Sequence, residues 1–228
     1  MKRSEINHSI QEAAAFFAGQ QFALPPFAQW TLEDWKAAGH EADEIRDRML
    51  GWDVTDFHSG SFEEVGLTLF TVRNGGYKRT ATSPKPYAEK IMYVLPNQVT
   101  PMHFHHRKTE DIINRGGEKT GKLAVQLYNA AEDDSLANTP VLAICDGIER
   151  RVEAGGIVVL GSGESITLTP RLYHKFYAID SPAIIGEVSS VNADVDDNRF
   201  LEPLPRFPQI VEDEPAWRLL CTEYPAAL

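Results

Sequence analysis

The amino-acid sequence predicts a mainly β protein, an antiparallel sandwich or jelly-roll barrel with an N-terminal helical segment. From about residue 65 onward, short apolar runs alternate with turn residues, which is typical of antiparallel β proteins. The N-terminal part instead spaces its apolar residues as helices do. The chain has 228 residues, of which 43% are hydrophobic and 24% charged, so a core of ordinary size can form.

Three helices are predicted in the N-terminal part. The apolar residues expected on the buried face of the first helix are Ile6, Ile10, Ala13, Ala14 and Phe17. Ser4 can cap this helix, and Thr31 with Asp34 forms a capping box that opens the second. The third is expected over residues 41–50. We assign residues 1–60 to an N-terminal helical segment that packs on the barrel.

The central part of the chain is expected to form the barrel, over residues 61–191. Its strand-like runs are residues 65–72, 88–95, 122–128, 140–145, 149–153, 157–160, 165–168, 173–179 and 183–190. Asp146-Gly147 separates two of these runs and is a hairpin signal. Residues 192–228 are rich in proline but also in large apolar side chains, so we expect a tail that covers the barrel.

Composition restricts the partners of the protein. The formal net charge of −11 argues against nucleic acid and against an anionic membrane surface. No apolar run is long enough to span a membrane, and the first residues lack the apolar stretch of a secretory signal. The two cysteines, Cys145 and Cys221, form no disulfide pattern. We therefore expect a cytoplasmic protein with free thiols.

One short segment, His103-Phe104-His105 followed by Glu110, carries the strongest chemical signal. Alternate residues of a strand point to one face, so His103 and His105 can direct two imidazoles at one position. Glu110 can add a carboxylate oxygen across a short turn. A barrel can also bring the strand of His174 beside this pair, which makes His174 the expected fourth ligand. Imidazole and carboxylate ligands suit a divalent first-row metal such as Mn, Fe, Co, Ni or Zn.

These residues resemble the first metal motif of the cupin superfamily. The positions that carry the resemblance are His103, His105, Glu110 and Gly117. Asn97 stands where the family pattern has a glycine ahead of the first histidine. The second cupin motif is matched more loosely before His174, with Arg171 roughly in the place of its glycine. The resemblance implies a cupin-type antiparallel β-barrel.

A narrower resemblance, to the D-lyxose isomerase family, covers most of the chain. The segments that carry it are residues 51–57, 66–75, 102–105, 108, 110–117 and 197–200. The resemblance implies a manganese-dependent isomerase of aldoses and ketoses. Such an enzyme would interconvert D-lyxose and D-xylulose, and often D-mannose and D-fructose. Mn²⁺ is the expected cofactor, with other divalent first-row metals as alternatives.

Aldose–ketose isomerisation moves a proton between C1 and C2 of the sugar and moves the carbonyl with it. It requires a Lewis acid for the oxygens, a base for the proton and an acid for the other oxygen. We interpret Glu202 as the general base and Lys90 as the acid or carbonyl partner. Lys108, Glu187 and Arg199 are expected to bind the sugar hydroxyls. A hydride shift is the alternative route.

Two other functions are compatible with the same residues. One is another metal-dependent cupin enzyme, such as a dioxygenase or a sugar epimerase, and the other is a non-catalytic cupin that binds sugar. We also expect a homodimer, because cupins usually pair through their sheets and the N-terminal helices offer an apolar face.

Overall fold

The computed structural model describes residues 1–76, 84–118 and 121–227, without the side chains of residues 194 and 195. The helices are α1 Arg3–Gly19, α2 Leu32–Ala37, α3 Asp43–Asp47 and α4 Asp194–Asp197, with 3-10 turns at Pro26–Gln29 and His40–Ala42. The strands are β1 Gly51–Thr55, β2 Leu67–Asn74, β3 Tyr87–Val94, β4 His103–His105, β5 Glu110–Gly117, β6 Lys122–Ala130, β7 Leu136–Ala137, β8 Val141–Cys145, β9 Ile148–Val152, β10 Ile157–Leu160, β11 Ser165–Leu168, β12 Leu172–Ile179, β13 Ala183–Ser190 and β14 Asn198–Phe200.

Within these described residues, the strands form two antiparallel sheets. The larger has eight strands in the order β1-β2-β3-β13-β5-β11-β8-β9. The smaller has six, in the order β10-β6-β12-β4-β14 with β7 paired to β6. The predicted fold class, a mainly β cupin-type barrel with an N-terminal helix, is confirmed. At the predicted hairpin, Asp146 and Gly147 have φ values of 51° and 80°, as a type I′ turn requires.

The interior core lies between the two sheets. Leu69 and Met92 of the larger sheet and Leu127 and Phe176 of the smaller one belong to one buried cluster. The alternation of side chains along each strand places these residues on the inner faces. In the turn after β3, Asn97 adopts a left-handed φ of 61°, the conformation that a glycine would favour.

Helix α1 covers the outer face of the larger sheet. Its residues Ile6, Ile10, Ala13 and Phe17 are fully buried. They pack in one cluster with the outward residues of the sheet, which include Trp52, Val54, Phe70, Ile91, Tyr93 and Ile184. This half of the larger sheet is therefore buried on both faces, which explains why its strands read as nearly continuous apolar runs.

The N-terminal part differs from the prediction in three places. Helix α1 begins before Ser4: Lys2 is the N-cap, and its backbone N–H donates to Glu5 Oε2 at 2.6 Å. The third helix ends early, at Asp47, because Met49 turns the chain with a left-handed φ of 50°. Residues 51–55 lie in the predicted helical segment but form β1. Pairing with β2, rather than local propensity, makes this strand.

The C-terminal part runs from the smaller sheet back to α1 and β1. Strand β14 pairs with β4, and Val211 and Leu220 then form isolated bridges with Lys2 and Trp52. The division at residues 60 and 191 stays a prediction. None of the helices in the described part of the chain is long and apolar enough to cross a membrane.

A buried ion-pair cluster ties α1 to the C-terminal part. The Arg3 side chain is 2% exposed and donates to Glu212 at 2.6 Å and to Glu223. The two carboxylates raise the pKa of the guanidinium, although burial opposes this. The cation thus holds both ends of the chain together.

We expect Arg3→Leu to lower the free energy of unfolding by about 3 kcal/mol, since it leaves Glu223 partly buried without its counter-charge. Urea denaturation measures this change. The matched control is Arg150→Leu, which removes a pair with Glu164 in which both side chains are more than a third exposed. That loss should stay below about 1 kcal/mol. Equal losses in the two variants would contradict the role of Arg3.

Candidate metal centre and substrate pocket

The candidate metal centre is formed by two neighbouring strands of the smaller sheet. Strand β4 is only three residues long, and its alternation puts His103 and His105 on one face while Phe104 packs against Tyr173 on the other. Strand β12 pairs with β4 so that His174 lies directly beside His103. One ring nitrogen from each histidine lies within 4.8 Å of the other two. The described residues thus bring three imidazoles to one point.

Backbone carbonyls orient two of the rings. His103 Nδ1 lies 2.8 Å from the carbonyl oxygen of Pro101, and His174 Nδ1 lies 3.0 Å from that of Leu172. Each carbonyl can accept only if Nδ1 carries the proton, which leaves the lone pair on Nε2. His174 Nε2 is buried and has no hydrogen-bond partner among the described residues. A buried lone pair of this kind fits a metal ligand.

Glu110, the first residue of β5, brings a carboxylate to the same point. Its Oε1 lies 3.3 Å from His105 Nε2 and 3.2 Å from His174 Nε2. Burial raises the pKa of this carboxyl, but Lys108 and His105 lower it by more than burial raises it. The pKa of Glu110 is therefore well below its usual range. Glu110 is therefore ionised.

His103 and His105 are held in the neutral form. Burial holds the pKa of His103 well below its usual value, and repulsion from His174 and His105 adds to the effect. Burial, followed by repulsion from Lys108, also lowers the pKa of His105. Neutral imidazoles and an ionised carboxylate are the protonation states that bind a metal. This donor set fits a divalent first-row ion.

Two lysines and a second glutamate lie next to the histidines. Lys108 Nζ is 2.5 Å from Glu110 Oε2 and donates to Glu187 Oε1 at 2.9 Å. Lys90 Nζ is 3.4 Å from the same Glu187 oxygen and donates to Asn192 Oδ1 at 2.7 Å. Lys90 and Glu187 are register partners on β3 and β13. Charges that are buried in this way require partners, and here they alternate in sign.

We call the small cavity between the sheets the metal pocket, and its volume is about 40 Å³. Its lining includes His103, His105, Glu110, Lys90, Lys108 and Glu187, together with Phe57, Met92, Phe176, Asn198, Phe200 and Arg206. Apolar side chains thus surround one group of polar residues, as in most small-molecule sites.

Two residues predicted for the site do not reach it. Glu202 is exposed in the loop after β14, so the folded tail does not bury it as the base assignment assumed. Arg199 lies on β14 between Asn198 and Phe200, which both line the metal pocket, so alternation turns Arg199 to the other face. There its Nε lies 3.7 Å from Asp134 Oδ2.

Several site residues were missed by the sequence interpretation. Asp197 is 1% exposed, and its carboxylate accepts the backbone N–H groups of Arg107 at 2.9 Å and Lys108 at 3.0 Å. It fixes the loop that carries Lys108. Asn198 Oδ1 is buried with no hydrogen-bond partner in the described ranges. Residues 197–200 stood among the segments that resemble a family, and this was the available signal.

The backbone before His174 also supports the centre. Arg171, in the place of a family glycine, adopts a left-handed φ of 64°. Its backbone N–H donates to the carbonyl oxygen of His105 at 2.9 Å. The side chain pairs with Asp134 at 2.7 Å. The looser sequence match at this position therefore keeps the backbone conformation that a glycine would provide.

Comparison with known proteins gives a consistent result. A model of the family described as "D-lyxose isomerase" matches residues 1–224. The chain is 49% identical over 229 residues to a D-lyxose/D-mannose isomerase of Serratia proteamaculans, with 98% of each chain covered. It is 48% identical over 227 residues to a D-lyxose/D-mannose isomerase of Escherichia coli O157:H7, again with 98% of each covered.

Solved structures of lower identity share the fold. The L-ribose isomerase of Acinetobacter sp. DL28, in complex with L-ribose, is 17% identical with a TM-score of 0.54, over 89% of this chain and 93% of that one. The L-ribose isomerase of Cellulomonas parahominis with L-psicose is 18% identical with a TM-score of 0.52, over 88% and 92%.

The orientation of His174 generates a prediction about metal binding. We expect His174→Gln to lower the affinity for Mn²⁺ by about tenfold or more. Changing a residue that only supports a metal ligand already lowers metal affinity by roughly this factor. Calorimetric titration of chelator-stripped protein measures this affinity. The control is His106→Gln, because His106 is a neighbouring histidine that is exposed. Equal affinities in the two variants would remove His174 from the centre.

Proposed function

The chain belongs to the D-lyxose isomerase family, and from this premise we propose that it interconverts D-lyxose with D-xylulose and D-mannose with D-fructose. As a member of this family it is an aldose–ketose isomerase. The names of its relatives give the two aldoses, and D-xylulose and D-fructose are the ketoses that isomerisation between C1 and C2 would form from them. The observation that carries the proposal is a cluster of three imidazoles and one ionised carboxylate, in contact with Lys108, which also pairs with Glu187.

We assign the metal ligands to His103, His105, Glu110 and His174. A divalent ion held by them would act as a Lewis acid toward the sugar carbonyl. Mn²⁺ is the proposed ion, because the family resemblance implies it and the mixed imidazole and carboxylate donors accept it.

The reaction requires a group that carries a proton between two carbons. From aldose to ketose, the C2 proton leaves and its electron pair forms the C1–C2 double bond, while the C1 carbonyl pair moves to O1. A proton then returns to C1 as the C2–O2 bond becomes the carbonyl, and the O2 proton passes to O1. We propose that Glu187 carries the carbon-bound proton. Glu110 and Glu187 are buried carboxylates of the metal pocket. Because Glu110 is assigned to the metal, Glu187 is the one available as a base.

The two lysines stabilise charge on the sugar oxygens. Lys108 Nζ and Lys90 Nζ are both held beside Glu187 by hydrogen bonds and ion pairs. Because the protein fixes these ammonium groups before the sugar binds, they do not have to reorganise when negative charge develops on O1 and O2. Lys90 keeps the role of acid or carbonyl partner, and Lys108 binds a sugar oxygen.

Other features stay predictions from the sequence. They are the homodimer, the cytoplasmic location, and the tail that covers the barrel. Glu202 and Arg199 are assigned no step in this proposal, since Glu202 is exposed and Arg199 lies on the opposite face of β14.

The proposed activity is tested with chelator-stripped protein reloaded with Mn²⁺ and incubated with a panel of aldoses. We expect D-xylulose from D-lyxose and D-fructose from D-mannose, measured by chromatography, and no ketose before reloading. An epimeric aldose without ketose would support the epimerase alternative. Absence of product from every aldose would contradict the proposal.

The assignment of the base is tested by two isosteric variants. Glu187→Gln should lower kcat by about 10²–10⁴-fold, the usual contribution of a positioned base. Glu202→Gln, an exposed carboxylate changed in the same way, should keep kcat within about threefold. Steady-state kinetics on D-lyxose measure both, and the reverse ranking would return the base to Glu202.

Isotope exchange supplies a second measurement for the same assignment. In D₂O, a carboxylate base that exchanges with solvent should place deuterium at C1 of the ketose, read by NMR. A hydride shift transfers the substrate hydrogen directly. Complete retention of that hydrogen, with Glu187→Gln fully active, would contradict the proposed role of Glu187.

A further inference from the structure

The metal pocket is too small to hold a whole sugar. Its volume of about 40 Å³ lies well below the ~300–1,000 Å³ of typical small-molecule sites. A second cavity of about 240 Å³ lies beside it, and its lining includes Asp53, Thr71, Asn74, Asn192, Phe207 and Cys221. We call this second space the outer cavity. Together the two spaces approach the lower end of the range for small-molecule sites.

The outer cavity continues the inner face of the larger sheet. Thr71, Lys90, Glu187 and Ile112 are register partners in one row across β2, β3, β13 and β5. Thr71 lines the outer cavity, and the other three line the metal pocket. Leu69, two residues before Thr71 on the same face of β2, also lines the metal pocket. The two spaces therefore lie side by side along one row of side chains.

Two residues of the outer cavity, Asn192 and Asp53, make polar contacts with residues of the metal pocket. Asn192 lines the outer cavity, and its Oδ1 accepts from Lys90 Nζ at 2.7 Å and from Lys108 Nζ at 3.4 Å. Asp53 lines the outer cavity as well, and Arg206 of the metal pocket pairs with it at 2.5 Å. Each contact joins a side chain of one space to a side chain of the other. Sugar hydroxyls can replace these contacts, since they accept and donate hydrogen bonds.

The chemistry of the outer cavity suits a chain of hydroxyl groups. Asp53 supplies acceptors, and the amides of Asn74 and Asn192 supply both donors and acceptors. Phe207 adds an aromatic surface for the C–H groups of a sugar. Asn74 and Asn192 are also fixed to each other, because Asn192 N–H donates to Asn74 Oδ1 at 3.0 Å and Asn74 Nδ2 donates to the Asn192 carbonyl at 2.9 Å. The polar groups are thus positioned before a ligand arrives.

We propose that the outer cavity is the subsite for the hydroxyl-bearing end of an open-chain aldose, whose C1–C2 end occupies the metal pocket. This proposal rests on the proposed isomerase function. When the sugar binds, its hydroxyls take the place of Asn192 as acceptors for Lys90 and Lys108. A hexose is one carbon longer than a pentose, so its terminal group extends further into the outer cavity. The size of this cavity then decides how well a hexose is accepted.

The test is to fill the outer cavity from two separate strands of the chain. Cys221→Phe adds an aromatic ring from the C-terminal part, and Thr71→Leu adds volume from β2. Ala18→Phe adds the same ring to an exposed position of α1 and is the matched control. Mn²⁺-loaded proteins are compared for kcat/KM on D-mannose and D-lyxose, with metal content and thermal midpoint as checks of folding.

We expect kcat/KM on D-mannose to fall about tenfold or more in each filled variant that folds. The value on D-lyxose should also fall, but by less, because the shorter sugar extends less far into the outer cavity. One methylene group more or less is enough for roughly 10- to 200-fold discrimination. Ala18→Phe should change neither value. Normal D-mannose turnover in a folded variant, or equal losses on both sugars, would overturn the proposal. A wild-type protein inactive on every aldose would instead refute the isomerase function.

Discussion

The pairing of the short strand β4 on both of its sides is the constraint on which the candidate site depends. Pairing with β12 puts His174 beside His103, and pairing with β14 puts Phe200 beside His103 and Asn198 beside His105. A shift of one residue in either register would turn the partner side chain away from the pocket. The hydrogen bond from the Arg171 backbone N–H to the His105 carbonyl stabilises this arrangement at the end of the strand.

Charge balance is the second condition of the site. The Glu110 carboxylate lies between the imidazoles on one side and the cationic Lys108 on the other. Lys108 also forms an ion pair with Glu187, and Glu187 forms another with Lys90. Removing any one of these buried groups leaves an uncompensated charge in an apolar interior, which is expensive. The same alternation of sign provides both a metal-binding anion and cations for substrate oxygens.

Local patterns in the sequence predicted those features that depend on strand alternation. They gave the mainly β class, the shared face of His103 and His105, and a Lys90 that can point inward. They did not predict β14, because these three residues lie in a proline-rich tail and form a strand only by pairing with β4. The face on which Arg199 lies could not be predicted for that reason, because pairing of β14 with β4 decides it. Local patterns also did not predict the backbone conformation of Asn97 and Arg171. Each adopts a left-handed φ that glycine favours, and this conformation costs an L-residue about 1 kcal/mol.

The position of β4 in its sheet also has a consequence for synthesis of the protein on the ribosome. Both neighbours of β4 come later in the sequence, β12 at Leu172–Ile179 and β14 at Asn198–Phe200. A nascent chain that already contains His103, His105 and Glu110 still lacks the strand of His174 and the wall formed by Asn198 and Phe200. Metal capture in the native geometry must therefore wait until nearly the whole polypeptide has emerged.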